Sequence, residues 1–356
     1  MSDKPVTRYA AADLRRFARA LLECARTQSD IARDVADVLL DGDLLGHTTH
    51  GLALLAPYLE ELDQGKMAKS GEPTVLVRRL AAQTWDGNRL PGPWLCLRAL
   101  EKATLMAREC GTGTVVIRRS HHIACLAAYL KRATDDGMVA IIESSDPTVH
   151  AVVPHGGLTP FITPNPIAAG LPTSGDPILI DISTSITSMG YAKQQMLAGK
   201  KLPGEWLIDA EGNPTANPGA LFNEPKGALL PLGGVDAGYK GFGLALLIEA
   251  LTAGLAGHGR VDSPAGWGAT VFVQAFDAEA FGGLAEFKRQ MDFVAAAARK
   301  AKPRPGGGDP VRLPGERGMQ RYREQLERGV ALYPSIMPAL EPWAKKYGVA
   351  LPAVIS

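Results

Sequence analysis

Neither sign of charge dominates this sequence: 38 lysines and arginines stand against 37 aspartates and glutamates, a net of +1 in 356 residues. That balance leaves no basic stripe for nucleic acid and no acidic tail for cations. Cysteine is sparse as well. Cys24, Cys96, Cys110 and Cys125 are scattered with no C-x-x-C pair, which favours buried thiols in a reducing compartment over a disulfide framework or a zinc knuckle. Long apolar runs are missing: residues 242–257 form the longest, yet they include Glu249 and fall short of the ~20 residues a bilayer requires. The N-terminus is polar and carries Asp3 and Asp13, unlike a secretory leader. A cytoplasmic protein with neither nucleic-acid nor membrane partners is the expectation.

Several catalytic signatures are absent too. No G-x-G-x-x-G follows a strand, and neither G-x-x-x-x-G-K-[ST], G-x-S-x-G nor H-E-x-x-H occurs. GTGTVV (111–116) has two glycines, but it runs into a strand where the dinucleotide fingerprint must open a helix.

What is present fills substantial cores, at 46% hydrophobic content over a length suited to two domains. The first 65 residues read as helices. Leu14, Phe17, Ala18 and Leu21 share one face, Ser29 is placed to cap a second helix bearing Ile31, Val35, Val38 and Leu39, and Leu55, Leu59 and Leu62 align on a third. Two short extended segments follow from about residue 74, then a helix that begins at a proline turn. Strands are expected at 112–120, 137–145, 177–183 and 269–277, with a helix starting directly at His122. Residues 154–176 are too rich in proline and glycine for a regular element, and 242–255 read as a buried helix. Residues 302–310 form a linker, after which amphipathic helices are expected at 314–329 and 335–347. A helical start and end around a mixed middle predict a mixed α/β protein. One helical domain is built from 1–75 with 305–356, and one mixed α/β domain spans 76–304.

Three clusters carry candidate chemistry. GDLLGHTTHG (42–51) sets a hydroxyl beside an imidazole at a helix end, and histidine can exchange a proton near neutral pH. Ser120-His121-His122 ends a strand, where His122 suits either an anion site at a helix N-terminus or a packing role. Gly238-Tyr239-Lys240-Gly241 puts an ammonium among glycines, suited to a phosphate or carboxylate or simply to solvent. Asp181 ends an apolar strand and needs a partner, either as a cap for a helix near Ser183 or as an orienting carboxylate for His50. His47 and His50 at i, i+3, with His121 or His122, permit a metal reading, but no cysteine or carboxylate stands at ligand spacing, so no metal is expected.

Read in order, these clusters resemble the second, non-Rossmann malate/L-lactate dehydrogenase family. Its relatives include ureidoglycolate dehydrogenase, sulfolactate dehydrogenase, diketogulonate reductase and piperideine-2-carboxylate reductase. The likeness runs through RRSHHIACLAAYL, VVPHGGLTPFITPNPIAAGLP, PILIDISTS, GYKGFGLALLIEALTAGLAG and LPGER. It implies a homodimer that transfers hydride between NADH or NADPH and a small 2-hydroxy or 2-oxo acid, or a cyclic imino acid, in a nucleotide fold unrelated to the doubly wound one. It implies His50 as proton donor, with Thr49 where serine is common and Asp181 completing the relay. It places the cofactor on His122, Ile123, Ala124, Cys125 and Leu126, on Ala168, Ala169 and Gly170, on Lys240, and on Pro314, Gly315 and Glu316. His150, Arg119 and Lys240 are expected at the substrate.

Two departures stand out. Leu54 occupies the position where the family carries a carboxylate-binding arginine, and an isobutyl group cannot replace a bidentate guanidinium. Arg118, Arg119 or Lys240 must then take the carboxylate, or the substrate is not a simple 2-oxo acid. VDAGYKG is longer than the common turn and is expected to reshape the pocket mouth. The competing readings are a metal-dependent hydrolase or lyase on His47, His50 and His122, and a non-catalytic relative that only binds a ligand.

Overall fold

The computed structural model describes residues 7–306 and 310–355. The extreme N-terminus and residues 307–309 of the expected linker therefore lie outside the described residues. Helices α1 (Ala11–Cys24), α2 (Ser29–Leu44) and α3 (Leu55–Asp63) open the chain. The predicted stripe of α1 is buried, and α2 is enclosed on nearly every side, including its aspartates Asp34, Asp41 and Asp43. Ser29 does not cap α2. Gln28 holds that position, and the serine hydroxyl instead joins Arg19 and Glu23.

Strands β1 (Thr74–Arg78) and β2 (Ala82–Asp86) precede α4 (Gly92–Cys110). There follow β3 (Thr112–Ser120), α5 (Ala127–Asp135), β4 (Met138–Ser145), β5 (Ile167–Leu171) and β6 (Ile178–Ile182). Later come α6 (Met189–Leu197), α7 (Gly234–Glu249), β7 (Ala269–Asp277), α8 (Leu284–Lys300), α9 (Glu316–Arg328) and α10 (Ile336–Tyr347). The strands form one seven-stranded sheet in the order β1-β2-β3-β7-β4-β5-β6. Only β2 and β3 run parallel; every other neighbouring pair is antiparallel. Alternation along β3, β4 and β7 sends Val115, Ile117, Ala140, Ile142, Val271 and Val273 into a core shared with α4, α5 and the N-terminal helices. On the opposite face Val116 and Phe272 pack against Leu251 and Ala256, beyond the end of α7. Arg8–Tyr9 pairs with both Val330–Ala331 and Val354–Ile355, so the two chain ends meet in a small sheet.

Three expectations fail. Residues 154–176 do contain a regular element, β5, inserted between β4 and β6. Its small side chains suit that slot: a Cβ on Gly170 would stand 3.1 Å from the Leu130 Cβ of α5. The helix expected directly at His122 begins only at Ala127. The apolar helix near 242–255 starts earlier, at Gly234, passes a non-helical residue at Ala237, and ends in a π turn over Ala250–Gly254. It is not buried: Val235, Leu244, Leu246, Leu247 and Leu255 are exposed on this chain. Among the described residues no helix is long and apolar enough to cross a membrane.

Candidate active site

Helix α2 delivers the first histidine. Past its end the chain tightens, with His47 N–H donating to Gly42 O and His50 N–H to His47 O. Asp43, from the last turn of α2, accepts the Leu52 N–H at 2.6 Å and so clamps the far side of the turn. Gly51 is required there, because a Cβ would lie 2.3 Å from Asp43 Oδ2. Burial pushes the Asp43 carboxyl up to about 7.

His50 Nδ1 sits 2.8 Å from Thr49 Oγ1. A hydroxyl fits both states of the ring, donating to a neutral Nδ1 and accepting from a protonated one. Burial holds the His50 pKa below its ordinary value, while the Asp181 carboxylate pulls it back up and His47 lowers it further.

Strand β3 delivers the second histidine. After Ser120 the chain turns through Ala124, whose φ of 58° lies in the left-handed region, before α5 begins. Gly92, opening α4, presses against this turn, and a Cβ there would be 2.3 Å from His121 O. The Ala124 N–H donates to His122 Nδ1 at 3.2 Å, and the Tyr58 hydroxyl lies 2.9 Å from the same nitrogen and 3.0 Å from His122 O. Nδ1 therefore acts as an acceptor, which puts the proton of a neutral ring on Nε2. Burial, with His50 and His121 nearby, holds the His122 pKa well below the usual range. Trp267 covers the ring at 4.7 Å between centroids, and it also touches His121 and Tyr58. The rings of His50 and His122 stack at 5.9 Å.

Both turns face one cavity of about 560 Å³. Thr49, His50 and Asp181 line it, as do His122, Ile123, Ala124, Cys125 and Leu126, so the sequence-predicted residues from three separate segments do converge. Asp181 departs from its expected partners. Its Oδ2 accepts the Ala127 N–H at 2.8 Å and the Cys125 thiol at 3.8 Å; it caps α5 rather than a helix near Ser183, and it is not hydrogen-bonded to His50. It acts on His50 through charge across the cavity.

Other predicted residues lie elsewhere. Ala168, Ala169 and Gly170 are in β5, and Pro314 meets the start of β6 through the Leu179 N–H. Gly315 packs on Leu179, and Glu316 pairs with Arg299; none of these lines the cavity. Lys240 is exposed on α7 beside the Tyr239 ring, and His150 is exposed. Arg118 and Arg119 both pair with Asp86. Arg119 borders a second cavity of about 250 Å³ that shares Gly268 and Ala269 with the first. Among the described residues, no lysine or arginine lines the main cavity.

Sequence reasoning missed Trp267, Asp146, Tyr58 and Asp43. Only Trp267 had a local signal, an aromatic set between two glycines. Asp146 lines the cavity, with one oxygen held by Thr148 and the other, Oδ2, buried without a protein partner. No cysteine or carboxylate stands near His47 at ligand spacing in the sequence, but the fold brings Cys125 and Asp181 beside it from distant segments.

The malate/L-lactate dehydrogenase family model matches residues 9–341. A malate dehydrogenase of Pyrococcus horikoshii is 30% identical over 327 residues, 89% of either chain. A (2R)-3-sulfolactate dehydrogenase (NADP(+)) of Chromohalobacter salexigens is 36% identical over 242 residues, covering 68% of this chain and 70% of that protein. The crystal structure of a malate dehydrogenase from Entamoeba histolytica superposes with a TM-score of 0.90 at 23% identity, covering 98% of this chain and all of the other, a likeness of fold. The matched relatives are dehydrogenases, which does not favour a hydrolase or lyase built on His47, His50 and His122. The chain belongs to the malate/L-lactate dehydrogenase family and is an oxidoreductase.

Proposed function

We propose that this protein uses NADH or NADPH to interconvert a small 2-hydroxy acid and its 2-oxo acid, or reduces a related cyclic imino acid. The observation that carries the reading is the convergence of His50, Thr49, Asp181 and His122 on a single cavity walled by Trp267. The cavity suits a planar nicotinamide. One side offers the Trp267 and His122 rings, and the 123–126 turn is apolar. When bound, the cofactor supplies or takes up a hydride.

The chain's own residues do the rest. His50, tied through Nδ1 to Thr49, offers Nε2 as the proton-carrying nitrogen. In reduction it protonates the oxygen on which negative charge grows; in oxidation the neutral ring accepts the hydroxyl proton. Asp181 stabilises the charged ring from across the cavity. His122, neutral, holds a fixed Nε2–H as a hydrogen-bond donor. The apolar 123–126 turn and Trp267 exclude water.

The acid end of the substrate points to the adjoining cavity. Arg119, paired with Asp86, borders it, and so does Arg89, which donates to the carbonyls of Lys66, Ala265 and Trp267. Replacing Arg119 with Gln is expected to raise KM for the acid about tenfold, a charge-assisted hydrogen bond being worth ~1.5–3 kcal/mol, with kcat little changed. An unchanged KM places the acid elsewhere. The exposed apolar residues of α7 support a homodimer. The whole reading is tested by following nicotinamide absorbance with NADH and NADPH over a panel of 2-oxo acids, 2-hydroxy acids with the oxidised cofactors, and cyclic imino acids. Turnover of at least one is expected, and none with either cofactor leaves a ligand-binding relative instead.

A further inference from the structure

Two side chains of the cavity wall, His47 and Cys125, have no part in the proposed proton transfer and stand beside Asp181, which has one. His47 from the turn after α2, Cys125 from the loop before α5 and Asp181 from β6 place one nitrogen, one sulfur and one carboxylate oxygen within 4.8 Å of one another. We propose that His47, Cys125 and Asp181 form a binding site for a borderline divalent transition-metal ion, with zinc the best fit.

The donor set matches zinc. One imidazole, one thiolate and one carboxylate give a three-residue site with the fourth tetrahedral position open to the cavity. Around tetrahedral zinc such donors stand about 3.5 Å apart, so the three side chains need close only about an ångström; Cys125 Sγ and Asp181 Oδ2 are already 3.8 Å apart. Asp181 is oriented from behind by the Ala127 N–H, the type of outer hydrogen bond that steadies a ligating carboxylate. Without metal the thiol proton points at that carboxylate, and burial together with Asp181 keeps it in place. On binding, the S–H bond gives way to a zinc–sulfur bond and the proton leaves to buffer, with no change of oxidation state. His47 is only half-buried and gives the ion a route from solvent.

The test uses the full-length purified chain. Zinc is added, excess is removed by gel filtration, and metal is counted per chain; cobalt(II) is titrated separately as a spectroscopic probe. One zinc per chain is expected, with a thiolate-to-cobalt charge-transfer band in the near ultraviolet. That band should vanish in Cys125→Ala, although Cys24, Cys96 and Cys110 remain. In His47→Ala, zinc affinity is expected to fall tenfold or more. No retained zinc, no band, or a band that survives Cys125→Ala overturns the proposal. Should Cys125→Ala fail to fold, His47→Ala decides alone, and an unchanged zinc affinity there overturns it equally.

Discussion

The two histidine turns face the same cavity, and they are built by opposite means. The His50 turn is held by polar groups: a buried aspartate clamping the Leu52 N–H, and a threonine hydroxyl on Nδ1. The His122 turn is caged by rings, with Tyr58, His121 and Trp267 packed around it. Burial disfavours the charged form of both imidazoles. Only His50 has a carboxylate charge acting against that penalty, whereas the charges near His122 are imidazoles, which add to it. Position alone would make either ring a proton carrier. Under the proposed function, their electrical surroundings favour His50 for that work and His122 as a fixed donor and wall.

Removing the carrier should have the largest consequence. His50→Ala is expected to lower kcat by about 10²–10⁴-fold, the usual share of a general acid–base group, while nucleotide binding followed by fluorescence stays within a few-fold. Turnover near the parent level would take His50 out of the chemistry. His122→Asn is expected to act on binding instead, raising KM by about tenfold for one lost hydrogen bond and its packing, with the pH profile unmoved. If that variant abolishes the pH limb, the two histidines have been assigned in the wrong order.

Asp181→Asn keeps an acceptor for the Ala127 N–H but removes the charge. The His50 pKa, already depressed by burial, then falls further. Reduction needs the protonated ring, so its rate drops as pH rises through that pKa, and the falling limb should move to lower pH. Oxidation needs the neutral ring and is lost as pH falls, so its limb should move in the same direction. A limb that stays fixed in both directions denies Asp181 any influence on the ring. The smallest effect is expected from Tyr58→Phe, which deletes a hydroxyl shared between His122 Nδ1 and its carbonyl. A loss of about 1–2 kcal/mol in denaturant unfolding is predicted, together with a modest rise in KM. A variant as stable as the parent would mean the aromatic cage holds the turn without that bond.

Local pattern was a good guide where an element draws its identity from its own residues. The stripe of α1, the strands β3, β4, β6 and β7, and the late helices α9 and α10 stand where alternation and helical spacing put them. It failed where neighbours far along the chain decide. Ile167–Leu171 looks like a loop by composition and becomes a strand because β4 and β6 supply its hydrogen bonds. The chain from His122 to Leu126 looks like a first helical turn, yet Ala124 adopts a left-handed conformation and Asp181 captures the Ala127 N–H. Leucines on α7 read as core by periodicity and are exposed on this chain, because periodicity marks a face without naming what covers it.

The sequence by itself determined where the candidate chemical groups stand, in the HTTHG and SHHIAC segments, since residue type and order are covalent facts that survive any packing. Which imidazole has a carboxylate charge near it, that Trp267 walls the cavity, and that Asp43 braces the His50 turn were decided only in the folded chain. Each depends on burial and on distances between residues far apart in the chain: Tyr58 and Trp267 meet around His122, and Asp181 faces His50 across a cavity. A linear sequence states neither, because the dielectric and the neighbours of a side chain exist only after the strands and helices have closed around it.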